Sequence, residues 1–433
     1  MDGAATRDSF ETTARQWDDP QLMLDVDAVR TRIIAGFEPL DVVTVPLLNS
    51  LGLVLADDVV AGVSLPPFTN SAMDGYALRA VDTQGASVPA PARLVVVGQQ
   101  PAGRAVADAL RTGECVRIMT GAPLPAGADA VARFEEVRAG RTPEAGSSIM
   151  ISRPISPGEN VREIGEDLAA GQLAISAGTV IRSGEIGLLA ALNRERVPVR
   201  RRPVVGILST GDEVRGLGEA LEPGEIHDSN SYLLAALVQE CGGRPLMLGV
   251  ARDRVGDLRE RFGRAQQADL LVTSGGVSVG DFDLVKEILR DAGTIEFWQV
   301  RMKPGKPIAF GRVGRTPVLG LPGNPAAAAV AFIEFGWPAV RTMLGYRDPD
   351  VPSIRARLAE PLENRGGRRH FVRGLVERHG SRFACRIVAR GGSGSVTSMA
   401  SANGLIVVPE TVTTLDAGAE VDVHLLPPGT LPA

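Results

Sequence analysis

The stretch LLVTSGGVSVGDFD, residues 270–283, decides the fold. Its apolar opening, Leu270 to Val272, has the length and bounds of a buried strand. Thr273, Ser274, Gly275 and Gly276 then break the run, and glycines let a backbone approach a ligand with its N–H groups aimed at an anion such as phosphate. The continuation predicts a helix with Phe282, Val285, Ile288 and Leu289 on its apolar face. Asp281 and Asp283 fall in its first turn, where carboxylates suit the positive helix end, and Ser278 is placed to cap it. Such a turn is either a phosphate cradle or an ordinary strand-to-helix connection, and the loop alone decides neither.

The flanking sequence repeats the pattern. Upstream, a strand over residues 203–209 runs into TGDE, which carries Glu213. A helix with Leu234, Leu237, Val238 and Cys241 follows, capped by Asp228 or Ser229 and stopped by Gly242 and Gly243. A strand at 245–250 leads to Asp253, and a helix at 255–266 precedes the strand at 269–273. This alternation predicts a parallel sheet with helices on both faces. Parallel sheets bind ligands beyond the carboxyl ends of their strands, where Glu213, Asp253 and the 274–283 loop all sit. Carboxylates beside a phosphate loop suit Mg²⁺, a hard cation; the same acids also read as helix caps and surface charges.

Downstream, KPGKP holds Lys303 and Lys306 between Pro304, Gly305 and Pro307, and fixed ammonium groups can neutralise an oxyanion. The Gly323-Asn324-Pro325 turn opens a helix with proline in its first turn, a second potential anion site.

The N-terminal half reads differently. Leu22, Val26, Val29 and Ile33 recur at helical spacing, and apolar pieces follow at 42–48 and 51–60. LPPFTNSAMDGYALR, residues 65–79, is expected to be a loop with Asp74 beside Gly75, a catalytic edge or a hairpin turn. Short strands are expected at 93–98, 115–119, 130–134 and 148–151, making a small β-rich domain. Thr120 with Gly121, and Arg162 with Asp167, are placed to bind an anion or to make structural turns. Residues 180–192 turn helical, and Arg200, Arg201 and Arg202 read as a solvated connector. From 352 to 427, GRRHFVRG, GGSGSVTSM and NGLIVVPE read as a second β domain, a small barrel.

The chain has 433 residues, enough for about three domains at roughly 150 residues each. A net charge of −5 gives no basic field toward nucleic acid or anionic membrane. The cysteines, Cys115, Cys241 and Cys385, are far apart, which argues against disulfides or a zinc cluster and fits a reducing cytoplasm. The four histidines also lack metal-ligand spacing. The polar, acidic start has no apolar core and reads as a loose tail, and the apolar run at 326–340 falls short of a membrane span.

Seven segments occurring in order, LPPFTNSAMDGYALR, CVRIMTGAP, NVREIGEDL, LSTGDE, SGGVSVGDFD, KPGKP and GLPGNP, resemble the molybdopterin molybdenumtransferase family, homologous to the E domain of gephyrin. The resemblance covers nearly everything after the tail. It implies an elongated α/β multidomain chain: a flexible tail at 1–20, a discontinuous linking domain at 21–65 and 165–198, an inserted β-rich domain at 66–164, a central parallel α/β molybdopterin-binding domain at 199–348, and a C-terminal β-barrel at 349–433. It also implies a homodimer, with each active site built from the α/β part of one subunit and the β-rich part of the other. The implied chemistry inserts molybdenum from molybdate into adenylylated molybdopterin with Mg²⁺, releasing AMP and molybdenum cofactor.

By motif position, Asp74, Glu213, Asp253 and Asp283 would be the essential acids, with Glu213 and Asp283 as metal ligands. Lys303 and Lys306 would hold phosphate or molybdate, and Thr120, Arg162 and Asp167 the pterin. Ser274, Gly275, Gly276, Pro322 and Pro325 would line the substrate site, with Arg373 and Ser393 placing molybdate. The resemblance further implies a molybdopterin adenylyltransferase and acceptor molybdoenzymes as partners. One departure is Gln299, where many members carry lysine after the tryptophan; Arg301 is the nearest substitute cation. Rival readings are a related molybdopterin adenylyltransferase, a nucleotide amidase with a similar loop, and a non-catalytic scaffold.

Overall fold

The computed structural model describes residues 23–103, 109–138, 145–252, 255–276, 293–388 and 392–426. The acidic tail, Asp253, and the helix expected after the glycine-rich loop, with Ser278, Asp281 and Asp283, lie outside the described residues. The chain divides into two compact units: residues 57–177 with 182–196, and the remainder.

Helix α1 (Val26–Ile34) belongs to the larger unit. Asp25 caps it, its carboxylate accepting from the backbone N–H of Asp27 at 2.8 Å, and Val26, Val29 and Ile33 enter the core at the expected helical spacing.

The smaller unit is built on a six-stranded sheet. Its strands are β1 (Gly75–Leu78), β2 (Ala92–Gln100), β3 (Glu114–Ile118), β4 (Ala130–Arg133) and β5 (Ser148–Ile151), in the order β4-β1-β3-β2-β5, with Val137–Arg138 at the far edge. The expected loop at 65–79 is corrected here, because its second half is an inner strand paired on both sides. Glycine and alanine make that possible: a Cβ on Gly75 would stand 2.0 Å from the Ala132 carbonyl oxygen. Turn-forming residues hid a strand selected by close backbone packing. Helix α2 (Ser183–Ala191) completes this unit.

The larger unit carries the α/β alternation: β6 (Val204–Thr210), α3 (Asn230–Glu240), β7 (Arg244–Ala251), α4 (Val255–Ala265) and β8 (Leu270–Ser274). Beyond them lie β9 (Gly293–Gln299), β10 (Met302–Lys303), β11 (Pro307–Val313) and β12 (Thr316–Leu321). The sheet order is β7-β6-β8-β12-β11-β9. The first four strands are parallel, as expected, and β11 and β9 add an antiparallel edge that the alternation does not encode.

Alternate side chains enter opposite layers, which is why the run at 270–272 is apolar throughout. Leu270 and Val272 pack with Leu234, Leu237 and Val238 of α3, whereas Leu271 packs with Leu258 and Phe262 of α4. The arginine run is not a solvated connector. Arg201 pairs with Asp269 through two 2.7 Å bonds, while Arg200 and Arg202 donate to the carbonyls of Leu40 and Gly242.

Helices α5 (Pro325–Ala331) and α6 (Trp337–Met343) are joined by a π-helical turn, Phe332–Gly336. Pro338 has no N–H to give the Glu334 carbonyl four residues back, and Arg30 Nε of α1 donates to that oxygen at 3.2 Å. The C-terminal strands are β13 (Ser353–Leu358), β14 (Arg369–His379), β15 (Arg382–Ile387), β16 (Gly404–Val408) and β17 (Glu420–Leu425). They close in the order β14-β15-β13-β17-β16-β14, a five-stranded barrel with β10 added on β14. The GGSGSVTSM stretch is not a strand: it contains α7 (Val396–Ala400). Among the described residues no helix is long and apolar enough to cross a membrane.

Candidate functional site

A cavity of about 1400 Å³ opens in the larger unit at the carboxyl ends of β6, β8 and β12. Its floor is the glycine-rich loop. Gly275 has φ +90°, and a Cβ there would lie 2.7 Å from the Thr210 carbonyl oxygen, so only glycine brings this backbone so close to β6. The Gly275 N–H donates to Leu321 O at 3.1 Å, and the Ser274 hydroxyl donates to Pro322 O at 3.3 Å.

Asn230, first residue of α3, ties two loops together. Its Nδ2 donates to the Ser274 hydroxyl at 2.7 Å and to the Gly323 carbonyl at 2.6 Å. The carbonyl fixes the amide orientation, because Oδ1 in that place would face another acceptor. Oδ1 itself is buried with no hydrogen-bond partner among the described residues. Beside it, Asp228 accepts from Ser209 Oγ at 2.8 Å and from the Ser231 N–H at 3.0 Å, so this acid is committed to capping.

Glu213 lines the same cavity from the β6 loop. Its carboxylate is exposed and folded back over Gly211, with no hydrogen-bond or ion-pair partner among the described residues. Lys303 and Lys306 line the facing wall, and Arg368 and Arg373 approach from the barrel. Arg373 is 5% exposed, donating to Ser398 Oγ at 3.2 Å and to Gly392 O at 3.4 Å, and its burial lowers the guanidinium pKa. Four cations thus face a pocket whose lining carboxylates are Glu213, Asp228 and Glu363.

The structure gathers Glu213, Lys303, Lys306, Ser274, Gly275, Gly276, Pro322, Pro325, Arg373 and Ser393 around this cavity. The helix start at Pro325 is less open than expected, because the Ala326 N–H already donates to Ser393 O at 3.1 Å. Gln299 and Arg301 are not among the residues around the cavity; Arg301 instead donates to Met23 O at 3.2 Å.

Asp74, Thr120, Arg162 and Asp167 lie in the smaller unit. Asp74 Oδ1 accepts from both the N–H and the hydroxyl of Thr120, at 2.7 and 2.8 Å. These two bonds, the N–H first, hold the exposed Asp74 carboxyl below its ordinary pKa, with Arg117 helping. Arg162 pairs in register with Asn70, next to Ser71, whose carbonyl accepts from the Gly121 N–H at 2.8 Å. Arg162 is exposed, as is Asp167.

Sequence reasoning missed Asn230, Arg368 and His370. Asn230 was not singled out beside the capping residues Asp228 and Ser229, and His370 was weighed only for metal-ligand spacing. Position at a strand-end loop was the available signal for Asn230.

Three family models match: "MoeA N-terminal region (domain I and II)" over 24–193, "Probable molybdopterin binding domain" over 206–342, and "MoeA C-terminal region (domain IV)" over 355–426. The chain is 40% identical over 392 residues to molybdopterin molybdenumtransferase 2 of Mycobacterium tuberculosis, covering 88% of this chain and 94% of the relative. It is 37% identical over 400 residues to the molybdopterin molybdenumtransferase of a Nostoc species, covering 89% of each. The crystal structure of the molybdopterin biosynthesis MoeA protein of Pyrococcus horikoshii superposes with a TM-score of 0.79 at 33% identity, covering 93% of this chain and 99% of that one.

Proposed function

The chain belongs to the molybdopterin molybdenumtransferase family, and from that premise we propose that it inserts molybdenum from molybdate into adenylylated molybdopterin, releasing AMP. The observation that carries this reading is the cavity at the strand ends, where Lys303, Lys306, Arg368 and Arg373 face a glycine-rich loop. Clustered fixed cations suit an oxyanion and a phosphate, the two anionic groups that this reaction brings together.

The Lys303 and Lys306 ammonium groups neutralise charge on the anion, and the buried Arg373 supplies a directional fork. Ser274, Gly275 and Gly276 set the floor on which a phosphate rests, held in register by Asn230. The Glu213 carboxylate, without a partner among the described residues, is a hard oxygen donor and fits one ligand position of Mg²⁺, with Asp283 proposed as the other. When bound, that ion polarises the phosphoryl group and offsets charge on departing AMP.

Family membership also supports a homodimer in which Asp74 and Thr120 of one subunit act on substrate held by the other. It supports an adenylyltransferase as supplier, molybdoenzymes as acceptors and a cytoplasmic site of action, with which the free, buried Cys115, Cys241 and Cys385 accord. The test is AMP release from adenylylated molybdopterin by the purified chain with Mg²⁺, with and without molybdate. Molybdate-dependent release together with active cofactor is expected. Binding of the substrate without release would replace the transferase reading with a scaffold.

A further inference from the structure

His370 stands on β14 directly opposite Lys303 of β10, as its register partner in the parallel pairing. Its ring lines the cavity, and its Nδ1 is buried with no hydrogen-bond partner among the described residues. On its other side the strand partner is Val408 of β16, which is apolar. The charged groups facing it are Lys303 from β10, and Arg373 and Arg368 from its own strand and the turn before it. Of the carboxylates lining the cavity, Asp228 is committed to Ser209 and Ser231 and Glu363 to Arg365, and none of the three, Glu213 included, is among the described groups acting on the ring.

Burial, followed by Lys303, Arg373 and Arg368, pushes the imidazolium down to about 4, so the ring is neutral at pH 7. A doubly charged tetrahedral anion seated among those cations reverses the balance, cancelling the repulsion and rewarding a further N–H donor. We propose that His370 is a further binding residue for the tetrahedral oxyanion and takes up one proton as the anion enters the cavity. This rests on the reading of the cavity as an oxyanion site. Proton and anion then favour each other equally, so the affinity of the site rises as pH falls.

The test is calorimetric titration of sulfate into the full chain between pH 5.5 and 8, in two buffers of different ionisation heat. Sulfate keeps its charge across this range; molybdate is titrated as a second probe above pH 6.5. Expected for the parent is uptake of about one proton and an affinity rising up to about ten-fold per pH unit below the bound-state pKa. His370→Asn, with His370→Gln as a second variant, removes both the uptake and the pH slope and leaves weaker, pH-flat binding.

Equal uptake in the parent and both variants would overturn the role of His370 while leaving the oxyanion site standing. Absence of binding of either anion to the parent would overturn the oxyanion reading and this inference with it.

Discussion

The Asn230 side-chain amide donates at once to the Ser274 hydroxyl and to the Gly323 carbonyl, residues 44 and 93 positions away in sequence. One side chain therefore sets the spacing between the glycine-rich loop after β8 and the turn that opens α5. Asn230→Ala removes both bonds, and at about 1 kcal/mol each the expected loss is about 2 kcal/mol of stability. AMP release is expected to fall by about ten-fold in kcat with the fold retained. Denaturant titration and single-turnover kinetics check this, and wild-type kcat in the variant would show that the two loops do not need the tie.

Glu213 has the opposite character, being exposed and without a protein partner among the described residues. Glu213→Gln should leave stability within about 0.5 kcal/mol of the parent. If the carboxylate serves the reaction, turnover drops on the order of 100-fold. Thermal melting and AMP release measured on one preparation separate the two effects, and unchanged turnover would take Glu213 out of the chemistry.

Asp74 owes its depressed pKa first to the Thr120 N–H and next to the Thr120 hydroxyl. A lowered carboxyl keeps its charge to lower pH: whatever the pair contributes is present above the unfolded value near 3.9 and lost as pH falls through the folded value. Thr120→Val deletes only the hydroxyl bond, so the Asp74 pKa rises part of the way back. Carbon-13 NMR titration of the Asp74 carboxyl reads this directly; a midpoint that does not move would mean the N–H alone sets it.

Gly75 sits in an inner strand where an added Cβ would be 2.0 Å from the Ala132 carbonyl oxygen and 3.1 Å from Arg133 Cα. Both obstacles are backbone and cannot swing aside. Gly75→Ala should cost about 3 kcal/mol, the upper part of the range for overpacking. A chemical denaturation midpoint matching the parent would contradict the close approach of β1 and β4.

Glu334 is fully buried in the π-helical turn, 2.5 Å from Arg30 Nη2 and 2.8 Å from His424 Nδ1. It links α1, the turn between α5 and α6, and the last barrel strand. Glu334→Gln removes the nearer of the two carboxylates beside Arg30, Asp27 remaining at 4.0 Å, at an expected cost of about 2 kcal/mol. A melting temperature unchanged from the parent would show that solvent already screens the pair.

Two elements mark how far local sequence reaches. The strand Leu270–Ser274 was legible because three consecutive apolar residues need cover on both faces, and Leu271 indeed faces α4 while Leu270 and Val272 face α3. The strand Gly75–Leu78 was not, because Asp74-Gly75 carries a turn signature and only the neighbouring backbone explains a glycine there. The candidate site divides in the same way. Lys303, Lys306, Glu213 and the glycine-rich loop were visible as residue types in stiff or strand-end settings. Asn230 and His370 were not, since their meaning lies in what they face.

By itself, the sequence determined the α/β alternation, the strand-end placement of the loops, the helical spacing of α1 and the Asp228 cap of α3. These follow from periodicity and backbone preference within a few residues. Tertiary structure alone decided the antiparallel edge of the sheet, the closure of β14 on β16, and the pairing of Lys303 with His370. Those contacts join residues far apart in the chain, and their selection depends on packing and register that no local window contains.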